Sequence, residues 1–67
     1  MNVIYVKRLT KHPLNSLTKG RIYKVVKELS DTAGVFAYRI INDDGNYFEF
    51  DIDSINFKIL KYKDTNV

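Results

Sequence analysis

Short runs of β-branched and aromatic residues, separated by polar segments that carry Gly, Pro, Asn or Asp, divide this chain into extended stretches. In "VIYVKRL", residues 3–9, Ile4 and Val6 alternate with Val3 and Tyr5, a β-branched and aromatic run that predicts a first strand covered on both sides near its start. Residues 10–16, "TKHPLNS", hold the only Pro and close on Asn15 and Ser16, so a long irregular loop is expected there, anchored by Leu14 or Leu17. Lys19 and Gly20 make a turn, and 21–28 resumes strand character, with Tyr23 and Val25 on one face and Ile22 and Val26 on the other. Ile22, Val25, Val26 and Leu29 also fit helical spacing. The content of Val, Ile and Tyr and the lack of a capping box favour the strand.

The small polar segment 30–34, "SDTAG", predicts a hairpin loop of moderate length leading to a third strand at 35–41. "NDDGN", 42–46, supplies Asn and Asp, which tolerate positive φ, and then Gly45, which adopts it without steric cost. A tight hairpin turn is expected there. Phe48 and Phe50 alternate with Tyr47, Glu49 and Asp51, the mark of a half-buried fourth strand. "DIDS" predicts a single 3-10 turn, and 57–60 a short fifth strand. The expected architecture is all-β: five short strands in one small barrel over residues 1–61, with a polar tail at 62–67.

With 67 residues the chain is one domain, whose single thin core must supply nearly all the stability. The absence of Cys rules out a disulfide framework and a thiolate zinc site, and no apolar run approaches the length that spans a bilayer. These features predict a cytoplasmic protein with no membrane contact. Net charge is +3, unevenly placed: residues 1–30 hold seven Lys or Arg against Glu28 alone, and 31–67 hold four against seven acids. The fold either separates these halves or interleaves them, and only separation would let the basic one steer a phosphate backbone or an acidic protein surface.

Chemistry-bearing patterns are sparse. Asp43 and Asp44 are adjacent before Gly45, whereas a calcium loop needs alternating acids and a later bidentate Glu, so the acidic segment reads as a turn. His12 is the only histidine, and with no Cys it completes neither a nucleophile relay nor a zinc site. Ser16, Ser30 and Ser54 have no base nearby in sequence, and Gly20, Gly34 and Gly45 stand alone rather than in a phosphate loop. No enzyme and no cofactor are expected. Of the nine aromatic residues, Tyr23, Phe36 or Tyr38, Phe48, Phe50 and Phe57 are assigned to the core, while Tyr5, Tyr47 and Tyr62 lie in more polar settings that suit an interface.

The order of a long first loop, "LTKGRIYKVV", a medium loop, an "NDDG" turn and a one-turn helix before the last strand resembles the Src-homology-3-like barrel over residues 3 to 60. Leu17-Thr18-Lys19-Gly20 is similar to that family's Leu-x-x-x-x-Gly approach to its second strand, and 42–46 matches its distal hairpin. Leu-Thr-x-Gly-x-x-Tyr-x-Val followed by Tyr-Arg-Ile-Ile-Asn-Asp-x-Gly also looks like very small proteins encoded by phages and prophages of low-GC Gram-positive bacteria. The chain departs from the peptide-binding members in having no Trp, so their polyproline groove is not expected. The resemblance implies a scaffold whose loops and exposed strand faces bind something.

The leading expectation is a non-enzymatic protein-interaction module, a phage-type accessory or inhibitor protein binding a bacterial host protein through Tyr5, Arg8, His12, Leu14, Arg21, Tyr38 and Tyr47, as a monomer or weak homodimer. The alternative is a small nucleic-acid-binding barrel using the basic stripe Lys7, Arg8, Lys11, Lys19, Arg21, Lys24 and Lys27.

Overall fold

The computed structural model describes residues 2–11 and 16–63. Six strands follow in order: β1 (Asn2–Arg8), β2 (Ile22–Lys24), β3 (Lys27–Asp31), β4 (Gly34–Ile41), β5 (Tyr47–Asp51) and β6 (Phe57–Lys63). They form two three-stranded antiparallel sheets, ordered β2-β1-β6 and β3-β4-β5, and the described residues contain no helix. The all-β expectation holds. Six strands stand where five were expected, and among the described residues no strand pairing closes the two sheets into one barrel.

The strand expected at 21–28 is the source of the difference. It is interrupted at Val25 and Val26, where the backbone turns from one sheet into the other: the Val25 amide donates to the Ile4 carbonyl (2.9 Å) on the first sheet and the Val26 amide to the Arg39 carbonyl (2.8 Å) on the second. Neither amide is orphaned by the bend, so a run of strand formers passes the corner without Gly or Pro.

Three further boundaries differ. β3 continues to Asp31 and β4 starts at Gly34, so 30–34 is no moderate loop but a tight hairpin closed over Thr32 and Ala33; the Asp31 carboxylate accepts from the Ala33 amide (2.8 Å), and Gly34 takes φ 117°. Residues 51–54 carry one bond from the Ser54 amide to the Asp51 carbonyl (3.0 Å), a turn without the successive bonds a 3-10 helix requires. β6 runs past 60 to Lys63, because β1 offers a partner along its whole length, from Asn2 opposite Lys63 to Arg8 opposite Phe57. The Tyr47–Asp51 strand falls where the alternation puts it.

Between the sheets lie Val6, Tyr23 and Phe57 from the first and Tyr38, Ile40 and Phe50 from the second, joined by Leu17. Val6 and Ile40 are fully buried. Phe50 and Phe57 stack across the gap at 3.9 Å between centroids, and Tyr38 meets Phe50 edge-on at 6.1 Å. Leu17 is the anchor of the long loop that the pattern called for. Phe36 is not core, although the alternation allowed it. The β3–β4 register slips beside Leu29 and Ser30, pairing Leu29 with Ala37 and Ser30 with Val35; Phe36 is left without an opposite residue and turns outward.

Candidate functional site

The acidic turn is occupied in holding the fold together. Asn42 begins it, its side-chain carbonyl accepting from the amides of Asp44 (3.0 Å) and Asn46 (2.9 Å), and Gly45 takes φ 84°. The next carboxylate then reaches back to the end of the long loop. Asp43 accepts from the Thr18 hydroxyl (2.7 Å), the Arg21 guanidinium (2.7 Å) and the Tyr23 hydroxyl (2.8 Å), while the Tyr23 oxygen accepts from the Thr18 amide (2.8 Å). Ser16, with left-handed backbone at φ 52°, donates its hydroxyl to Asp44 and accepts from the Asp43 amide (2.8 Å).

The hydrogen bonds from Thr18 and Tyr23, helped by the Arg21 charge, hold the Asp43 carboxyl below the usual carboxylate range. Burial pushes the Tyr23 phenol above its ordinary value, and the neighbouring Asp43 carboxylate adds to the effect. Among the described residues no group of three or more His, Cys, Asp or Glu is placed to hold a metal.

The outer face of the second sheet is apolar and aromatic at one end. Tyr47, 69% exposed, stands opposite Ile41, which is itself exposed. The Arg39 guanidinium lies over the Tyr47 ring at 5.0 Å and donates from Nε to Glu49 (2.7 Å), which pairs with it across the strands. Toward the other end, Leu29, Phe36, Arg39 and Glu49 line a shallow trough.

The outer face of the first sheet is different in kind. Its strands read NVIYVKR, IYK and FKILKYK, with six Lys or Arg over both faces together and no acid; Lys7, Lys24 and Lys58 take outward positions. The strands of the second sheet hold Lys27 and Arg39 against Glu28, Asp31, Glu49 and Asp51. Charge is therefore divided by sheet, not by halves of the chain, because β6 carries lysines of the acidic half back beside β1. Since Ile4, Val6 and Tyr23 face the core, Tyr5, Lys7 and Lys24 face outward. The register sets Lys7 between Ile22 and Lys58, and Tyr5 between Lys24 and Leu60.

These placements sort the candidate residues. Tyr47 is exposed, Arg21 is exposed but engaged with Asp43, and Tyr5 is half-buried. Arg8 and Tyr38 leave the candidate surface. Arg8 alternates inward and is only 2% exposed, its guanidinium 4.9 Å over the Phe57 ring and its Nε donating to the Thr10 carbonyl (2.8 Å). Tyr38, 4% exposed, fills the core against Phe50. His12 and Leu14 lie outside the described residues. Of the basic stripe, Lys7 and Lys24 share the first sheet's outer face; Lys11 and Lys19 are exposed in the loop, and Lys27 belongs to the second sheet.

Sequence reasoning missed Lys58, Phe36 and Ile41. Lys58 was legible only as a residue of an acidic half, and its place beside Lys7 depends on long-range pairing. Ile41 could have been found, since it alternates outward from Ile40.

The fold and its surfaces define a small all-β protein of two packed three-stranded sheets, with one cationic outer face and one aromatic one. No protein-family model, curated protein or solved structure matches it.

Proposed function

We propose that the protein is a non-enzymatic interaction module of the phage accessory or inhibitor type, acting in the bacterial cytoplasm, which docks on a host protein through the outer face of its second sheet. The observation that carries this reading is the Tyr47 ring, the most exposed aromatic among the described residues, braced by Arg39 and flanked by Ile41. Tyr and Arg held rigid on a strand lose little conformational entropy on binding, and such residues dominate interface energetics. A standard interface of roughly 800 Å² per partner would take about one sixth of the 5027 Å² surface, so one sheet face suffices.

The same reading relates the scaffold to the Src-homology-3-like fold in an open form of two sheets. Its support is the corner at Val25 and Val26: taken as one bent strand, β2 and β3 reduce the six strands to five and share that strand between both sheets.

The test is affinity capture from a bacterial lysate with quantitative mass spectrometry, using the wild type, an Arg39→Ala/Tyr47→Ala variant and a Lys7→Gln/Lys58→Gln control. A host protein enriched by the wild type and the control, and lost with the aromatic-face variant, is expected. Equal recovery by all three would remove the second sheet as the docking surface.

A further inference from the structure

Lys7 and Lys58 stand directly opposite each other on the outer face of the first sheet, and Lys24 lies one step along the neighbouring strand. Directly opposed residues on antiparallel strands have Cα atoms about 5 Å apart, and like charges so placed destabilise the sheet. The sheet offers no acid to offset this, because every Asp and Glu among the described residues lies on the second sheet or in the turns after β4 and β5. An isolated repulsive pair is ordinary surface wear. Here it frames a tyrosine: Tyr5 projects from the middle strand between Lys24 and Leu60, one step from the Lys7–Lys58 pair.

We propose that this face binds single-stranded nucleic acid, with Tyr5 stacking against a base and Lys7, Lys24 and Lys58 meeting phosphates. Charge complementarity selects a polyanion. An aromatic ring amid lysines on an open sheet selects one with unpaired bases, because every base has a face to stack while bases within a duplex already stack on one another. The face is three strands wide, about 10 Å at the usual interstrand spacing, and the described residues hold no helix to enter a major groove. It points away from the face proposed for a protein partner, and the two sites share no residue.

Fluorescence anisotropy tests the proposal with labelled oligo-dT, a mixed-sequence RNA of the same length, a DNA duplex and polyglutamate at two salt concentrations. Both single strands bind at low salt and weaken as salt rises, with a log–log slope of about −0.7 per phosphate met, hence about −2 for three lysines. Lys7→Gln/Lys58→Gln lowers affinity at least tenfold and flattens the slope by about 1.4. Tyr5→Leu, which keeps apolar bulk on the sheet, lowers affinity about tenfold and leaves the slope unchanged. Tyr5→Phe retains binding, which separates loss of the ring from loss of structure. Lys19→Gln/Lys27→Gln, away from this face, binds as the wild type does. Absence of binding at low salt overturns the proposal, as do duplex or polyglutamate binding as tight as the single strands, an unchanged affinity for Tyr5→Leu, and equal losses in the site and control variants.

Discussion

Removing one oxygen from Tyr23 tests how the long loop is fastened to the β4–β5 turn. The ring of Tyr23, 5% exposed, faces Val6 in the register and belongs to the core, so Tyr23→Phe leaves packing intact. It deletes two hydrogen bonds: one from the Tyr23 hydroxyl to Asp43, and one received from the Thr18 amide. A bond to a charged acceptor contributes about 1.5 to 3 kcal/mol and a neutral one about 1, but water reaches Asp43 and the Thr18 amide in part once the hydroxyl is gone. The net loss is set at about 2 kcal/mol. For a chain this short, 1 kcal/mol moves the melting midpoint by about 7 °C, so thermal unfolding followed by far-ultraviolet dichroism should fall by about 14 °C. Coupling supplies a second reading: because Asp43 is the shared acceptor, Tyr23→Phe/Asp43→Asn should lose clearly less than the sum of the single losses. A midpoint within 3 °C of wild type, or strict additivity, would refute the view that this cluster fastens the loop.

The remaining outcomes follow from the same cluster and from the sheets. The Asp43 carboxyl titrates lower folded than unfolded, so its stabilisation is present above the ordinary carboxylate range and is lost as pH falls through that range to the lowered folded value; urea midpoints should decline more steeply in acid for wild type than for Asp43→Asn. Tyr23 has the opposite sign at the other end: its phenol titrates higher when folded, so its stabilisation is complete below the ordinary phenol pKa and disappears as pH rises through the folded one, a loss that Tyr23→Phe should abolish in alkaline urea titrations. Lys7→Glu turns the opposed Lys7–Lys58 pair into an attractive one and should raise the melting midpoint by about 3 °C at low salt, the gain shrinking in 1 M salt. Gly45→Ala places a Cβ in open space but at φ 84°, so a loss of about 1 kcal/mol measured by urea denaturation would come from the backbone alone.

What the sequence disclosed and what it hid divide along the range of the interactions concerned. Tyr47–Asp51 and the turn after Ile41 were legible because alternation and an Asx-rich segment ending in Gly are properties of a few consecutive residues. The break at Val25 and Val26 was not, since both residues are good strand formers and only the carbonyls waiting at Ile4 and Arg39 decide where the chain bends. Phe36 was ambiguous for the same reason: the register slip that exposes it is made with Ser30, across a hairpin whose tightness depends on the Asp31 cap. Arg8 read as a surface cation because Arg is seldom buried, yet its parity with Ile4 and Val6 pointed inward. There the period was the better guide than the residue type.

The candidate faces were harder still, because a face is assembled by pairing. Counting charge along the chain finds a basic beginning and an acidic remainder, and would assign Lys58 and Lys61 to the wrong side. Antiparallel pairing of β6 with β1 brings residues more than fifty positions apart into contact, as in Lys7 opposite Lys58 and Ile4 opposite Lys61. With β2 on the other edge, all three strands of the sheet then lack acids, while the acids collect on the second sheet, where Arg39 pairs with Glu49, and in its turns, where Arg21 meets Asp43. The arginines outside the core are thus neutralised beside the acidic sheet. The lysines of the first sheet meet no acid on their own strands, so the two outer faces differ in charge even though both rest on the same seven-residue core cluster.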